Sequence, residues 1–209
     1  MRPVLLFLLG SISLFAQPFS AGIKAGVPLT DFLNATSSGT FNYTAPTQRY
    51  IVGGVAELRL PLGIGVEFDA LYRRLHYTGS GNLVDVFTTS NTTGGKWEFP
   101  LLLKYRFHFP VVRPYVDAGV AWDTLTGLKQ TVSQVSPVPF LTPTSTPSEL
   151  KKNTTMGVVL GAGVDIHAIV LHISPEIRFT RWNAAQISDA AGLLHSNLNQ
   201  AEFLVGFTF

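Results

Sequence analysis

Residues 97–109 read Trp97-Glu98-Phe99-Pro100-Leu101-Leu102-Leu103-Lys104-Tyr105-Arg106-Phe107-His108-Phe109. Trp97, Phe99, Leu101, Leu103, Tyr105, Phe107 and Phe109 occupy every second position, with Glu98, Lys104, Arg106 and His108 between them. Successive side chains of a strand point to opposite faces, so this stretch is a strand with one apolar and one charged face. It also exceeds the roughly 9–11 residues that a tilted strand needs to cross a bilayer.

The same alternation predicts strands near 19–27, 48–60, 64–77, 115–124, 154–166, 171–182 and 201–209, eight in all with 97–109. Short links fall at 61–63, 110–114 and 167–170, and long links at 29–47, 78–95, 125–153 and 183–199. The long links are rich in Thr, Ser, Asn and Pro, as water-facing segments are. Short turns at one rim and long loops at the other are the pattern of outer-membrane barrels.

Period two alone fits a soluble lipocalin-like barrel or a β-sandwich equally well, with the apolar face inward. The charged face decides between them. It carries Glu57, Glu67, Asp69, Glu98, Asp117, Asp123, Asp165, Glu176 and Glu202 beside Lys24, Arg59, Arg73, Lys104, Arg106 and Arg178, with glycines interleaved. Nearly balanced charge among small residues suits a narrow lumen, where carboxylates and cations pair and glycine makes room. Aromatic residues gather towards the strand ends, Tyr105, Phe107, Phe109, Phe207 and Phe209 at one rim and Tyr50, Tyr72, Trp97, Trp122 and Phe179 at the other. Such rings favour the headgroup level at both edges of a lipid belt.

Composition agrees: hydrophobic residues make up 46% of the 209-residue chain and charged residues 13%. After residue 16 no stretch reaches the roughly 18 apolar residues of a spanning helix. The expected fold class is therefore all-β, an eight-stranded antiparallel up-and-down transmembrane β-barrel. Net charge is +2 without basic clusters, which predicts no nucleic-acid partner. The chain has no cysteine, so neither a disulfide nor a thiolate metal site is available. Arg2 followed by the apolar run Val4 to Phe15 predicts a signal peptide over 1–16, leaving 17–209 as the barrel domain.

The stretch Phe203-Leu204-Val205-Gly206-Phe207-Thr208-Phe209 resembles the C-terminal assembly signal of bacterial outer-membrane barrels, and the architecture resembles the small OmpA/OmpX-like eight-stranded members of the porin superfamily. That resemblance implies export to the outer membrane of a Gram-negative-type bacterium. It also implies contact with outer-membrane lipid, and recognition of Phe203, Phe207 and Phe209 by the barrel-assembly machinery. A monomer is expected.

For function, the sequence points to a non-enzymatic barrel that acts through its structure or its loops, with no cofactor. The segment Thr131 to Pro147 is the candidate contact for adhesion. Paired carboxylates such as Glu67 and Asp69 can act as acid and base, but ion pairing in the lumen is the more economical reading. The histidines His76, His108, His167, His172 and His195 show no spacing that matches a metal site. Two alternatives stand beside the leading reading. One is a narrow ion channel. The other is a lipid A deacylase, an enzyme family on eight-stranded barrels that uses a His-x-Ser pair near the outer end of the seventh strand. This chain has Arg181-Trp182-Asn183 there and His195-Ser196 later, and adjacent residues of an extended chain face opposite ways.

Overall fold

The computed structural model describes residues 19–37, 41–45, 49–83, 86–109, 112–135, 140–141, 146–168, 171–189 and 192–209. The expected signal segment lies outside the described residues. Eight long strands form the molecule: β1 (Phe19–Pro28), β2 (Ile51–Arg59), β3 (Ile64–Leu83), β4 (Val86–Arg106), β5 (Val112–Val135), β6 (Thr154–Ala168), β7 (Leu171–Trp182) and β8 (Asn199–Thr208). Each pairs antiparallel with the next, and β1 pairs with both β2 and β8, so that Ile23 faces Gly54 on one side and Phe207 on the other. The sheet is thus a closed eight-stranded antiparallel barrel. Closure matters in lipid, where an unpaired strand edge would leave amides and carbonyls without partners.

The outer face is apolar, and the charged side chains of the strands turn inward beside buried residues such as Leu102 and Leu204. Ile23, Phe68, Leu103, Val158, Leu160 and Ile177 point out and are 44% exposed or more. On β1, β3 and β7, Lys24, Asp69 and Arg178 point in and are at most 2% exposed. The outer face carries aromatic pairs at both rims: Tyr72 and Trp97 with ring centroids 5.1 Å apart, and Tyr105 and Phe107 at 5.2 Å.

Three strands run far beyond their expected ends. β3 and β4 pair in one register from Ile64↔Tyr105 to Leu83↔Val86, interrupted only opposite Pro100, and β5 follows β4 as far as Phe87↔Val135. The expected long loop 78–95 is therefore the upper part of a hairpin, and the first part of 125–153 is strand. The short strand Phe41–Thr44 adds to β3, and Phe140–Leu141 adds to β5. Strand four starts at Val86 rather than Trp97, and it ends at Arg106 rather than Phe109. Above the lipid the outer face of a strand meets water instead of acyl chains, so Thr, Ser and Asn replace its apolar residues and the hydrophobic period disappears, while Tyr77 and Thr92 stay buried on the inner face. Threonine still favours an extended backbone there.

The short connection from β2 to β3 is one tight turn at Pro61–Gly63. It places Leu62 at φ 67 and Gly63 at φ 81, and Leu62 stands 78% exposed. A left-handed conformation costs a leucine roughly 1–2 kcal/mol.

Candidate functional site

The lumen is built around ion pairs, with Leu71, Leu102, Val159 and Leu204 packed among them. At mid-height, Lys24 Nζ lies 2.6 Å from Glu67, 3.1 Å from Asp69 and 3.1 Å from Glu176. Arg178 reaches the same three carboxylates, with Nε 2.6 Å from Glu176, Nη1 2.9 Å from Asp69 and Nη2 3.4 Å from Glu67. Lys104 also pairs with Glu67, and its ammonium sits 4.2 Å above the ring of Tyr115. The Tyr115 hydroxyl donates to Glu176 at 3.3 Å. Five strands supply this hub, and two of them give a pair each because residues two apart in a strand share a face: Glu67 with Asp69 on β3, Glu176 with Arg178 on β7.

Two smaller groups flank the hub. Towards the short-turn rim, Arg106 pairs with Glu57 and lies 3.0 Å from Asp165, Arg59 is 3.7 Å from Glu57, and His172 Nδ1 is 3.1 Å from Asp165. Towards the long-loop rim, Lys96 lies 2.7 Å from Asp123 and 3.6 Å from Glu98, while Arg73 lies 3.5 Å from Glu202. Gln200 Oε1 accepts from Arg73 at 2.6 Å and from Lys96 at 3.0 Å. Asp117 stands apart. It is buried, yet has no ion pair within reach among the described residues. Its carboxylate fills the space left by the missing side chain of Gly161.

Sequence reading passed over four members of these groups. Lys96 lay one residue before the expected start of its strand, although it shares parity with Glu98. His172 and Tyr115 were inward by the same parity but carried no charge signal at neutral pH. Gln200 preceded the expected last strand.

A second buried region closes the wide rim. Leu33–Ala35, from the first long link, pairs with Leu194–Ser196 from the last one, Leu194 opposite Ala35. Phe32, Leu33, Leu75, Tyr77, Leu125, Ile187 and Leu194 pack there as one apolar cluster, with Leu128 and Leu150 against it. Gln186, 1% exposed, ties the cap to the barrel by donating to the carbonyls of Asn153 at 3.0 Å and Asp123 at 3.3 Å. The two buried regions meet at Phe32, whose ring lies 4.8 Å from Lys96 Nζ and 5.2 Å from the Arg73 guanidinium. Trp182, inward at the end of β7, covers Lys96 from another side at 4.8 Å.

The residues weighed for acyl chemistry belong to this cap. Ser196 is 4% exposed, and its hydroxyl accepts from the Gln186 amide at 2.9 Å. His195 faces the other way, with Nε2 3.3 Å from the side-chain amide of Asn34. No group of three His, Cys, Asp or Glu side chains among the described residues could hold a metal ion. Phe203, on the outer face of β8, is 38% exposed, and Phe209, just past the end of that strand, is 77% exposed.

A family model described as outer membrane protein beta-barrel domain matches residues 15–181. No curated protein matches the chain. Among solved structures, the outer membrane protein OprG from Pseudomonas aeruginosa is 13% identical with a TM-score of 0.52, over 91% of this chain and 92% of that one. The N-terminal β-barrel domain of Pseudomonas aeruginosa OprF is 19% identical with a TM-score of 0.36, over 92% and 98% of the two chains. The likeness to OprG is one of fold.

Proposed function

The chain belongs to the outer membrane protein β-barrel domain family, and from that premise we propose that it is a non-enzymatic structural and surface-interaction protein whose barrel conducts nothing. One observation carries this reading: an ion-paired lumen lies directly beneath an apolar plug. Arg178 and Asp69 are fully buried, Leu194 and Ile187 are 0% and 1% exposed above them, and Phe32 seals the junction. At eight strands a barrel is just wide enough for side chains to fill it. Ions crossing this path would have to displace fixed charges from their partners and then pass an apolar layer.

The Ser196 hydroxyl accepts from the backbone amides of Gln186 and Ile187 inside the cap, which speaks against an acyl-transfer role. Surface interaction falls to the raised sheet of β3, β4 and β5. Its outward face sets Thr89 opposite Ser133, Asn91 opposite Thr131 and Thr93 opposite Lys129, and these six line a shallow cavity of about 510 Å³. Export by the segment 1–16, a monomeric state, and delivery to the assembly machinery through Phe203, Phe207 and Phe209 complete the proposal.

Planar-bilayer recording of the refolded protein tests it. The expected trace is flat, without stable openings; a large, lasting conductance overturns the closed-lumen reading.

A further inference from the structure

The short-turn rim holds unspent cationic donors beside apolar surface. A cavity of about 290 Å³ there is lined by Arg59, Arg106, Arg113 and His108, with no carboxylate in its wall. Arg106 is committed to Glu57 and Asp165. The other two arginines are not saturated. Arg113 uses Nε on the Phe109 carbonyl at 3.2 Å and has no acidic partner among the described residues. Arg59 touches His172 through Nη1 at 3.2 Å, while its Nε, 3.7 Å from Glu57 and too far to donate to it, is buried without a hydrogen-bond partner. Three guanidinium groups thus face two carboxylates at this end, an excess of one positive charge before any histidine is counted. A guanidinium presents five donors in a fixed fork, a geometry that matches phosphate and carboxylate oxygens.

The rest of the cavity wall is apolar and open to lipid. Leu60, Leu62, Ile64 and Phe107 line it and are 42%, 78%, 36% and 43% exposed. Leu62 stands out because its left-handed backbone is unfavourable for a branched side chain, yet the turn displays it at the membrane edge. A soluble anion would leave these side chains in water. An anion that carries acyl chains would cover them.

We propose that this cavity binds the phosphate of a phospholipid in the inner leaflet. Arg59 and Arg113 donate to the phosphate oxygens, and the acyl chains lie along Leu60, Leu62, Ile64 and Phe107. The inference rests on the outer-membrane placement, with the short turns on the periplasmic side as in such barrels. It is independent of whether the lumen conducts.

The test uses the refolded protein in maltoside micelles, titrated calorimetrically with short-chain phosphatidylglycerol and, separately, with inorganic phosphate. A heat-modifiability gel first shows that each variant is folded, which separates loss of the site from loss of the barrel. The phospholipid is expected to bind more tightly than inorganic phosphate. Arg113→Gln should weaken lipid binding by about tenfold, the loss of one charged hydrogen bond, and Arg59→Gln should do likewise. Arg113 has no ion pair to lose, so its variant keeps the test alive if Arg59→Gln fails to fold. Leu62→Asn, which suits the left-handed turn, should weaken the lipid and leave inorganic phosphate unchanged. Equal affinity for both ligands, with no effect of Leu62→Asn, would identify a soluble-anion site and overturn the lipid assignment. Undiminished lipid binding by Arg113→Gln, or no binding by the parent protein, overturns the site altogether.

Discussion

The barrel has two buried regions, stacked along one axis and built on opposite principles. The lower is ionic. Lys24, Lys104 and Arg178 hold Glu67, Asp69 and Glu176, each partner delivered by a rigid strand. The upper is apolar. Phe32, Ile187 and Leu194 come from links between strands and are joined by a sheet only three residues long on each side. An ion pair out of water tolerates little misplacement, because the desolvation of each charge is offset only by good geometry. Apolar contacts are non-directional and tolerate looser carriers. Strands suit the first and links the second. The two regions should therefore fail differently.

The largest effect is expected in the ionic layer. Arg178→Met leaves three carboxylates sharing two lysines in a dry lumen, and should destabilise the whole barrel by about 3–5 kcal/mol, the usual cost of breaking a buried pair from one side. Denaturant unfolding in micelles, followed by tryptophan fluorescence, reads it. Replacing Glu176 by Gln in the same chain should recover part of the loss, since one unpaired charge is removed. A drop under about 1 kcal/mol would mean that water reaches the hub and screens its charges.

The cap should yield locally. Leu194→Ala or Ile187→Ala removes apolar contact worth about 2–5 kcal/mol in a packed core. The barrel strands keep their own ladders, so that loss should appear as faster hydrogen exchange at the Thr36 and Ser196 amides, which bond to Leu193 and Ile187 across the cap. Amides of β7 around Arg178 should exchange as before. If the global unfolding midpoint falls as far as in Arg178→Met, the cap and the lumen form one cooperative unit and the contrast dissolves.

A smaller effect isolates the junction. Phe32→Leu keeps an apolar plug but removes the ring that faces Lys96 and Arg73. The coupling of Phe32→Leu with Lys96→Met, measured as a double-mutant cycle, should be about 0.5–2 kcal/mol, the range of a desolvated cation over an aromatic face. A coupling near zero would mean that the two regions merely abut.

The same contrast explains what was legible in the sequence. A strand between lipid and lumen meets two unlike environments, so its side chains alternate, and residues such as Ile23 with Lys24 or Phe68 with Asp69 declare their faces at once. The upper halves of β3, β4 and β5 meet water on their outer side, so Thr88-Thr89-Ser90-Asn91 reads as a loop although it is strand. The cap was invisible for a different reason. Phe32, Ile187 and Leu194 are single apolar residues in polar links, and only closure of the barrel brings links so distant in sequence over one mouth. Burial of Lys96 was within reach, since it continues the parity of Glu98, but the break in hydrophobicity before Trp97 ended the pattern one residue too soon.

The smallest effect lies at the edge of the cap and depends on pH. Tyr43 is partly buried beside Glu149 and Asp189, and burial together with those carboxylates pushes its phenol above its ordinary value of 10.0. Glu149 is itself buried and accepts from Gln130 at 3.5 Å, so a phenolate would add negative charge next to a carboxylate with little water to screen it. A raised pKa in the folded state means that the neutral phenol is the favoured form. Its contribution to cap stability is complete below the ordinary value and is lost as pH rises through the folded one. Hydrogen exchange is too fast at such pH, so the readout is proteolytic nicking of the cap between pH 9 and 12 with an alkali-tolerant protease. Cleavage in the last link should rise steeply over that interval in the parent protein, by a factor of a few. Tyr43→Phe, which cannot ionise, should flatten the rise while leaving cleavage at pH 8 slightly higher, because the neutral phenol hydrogen-bonds the Glu149 carboxylate and the variant cannot. An equally steep rise in the variant would assign the alkaline loosening to another group and leave Tyr43 as a packing residue only.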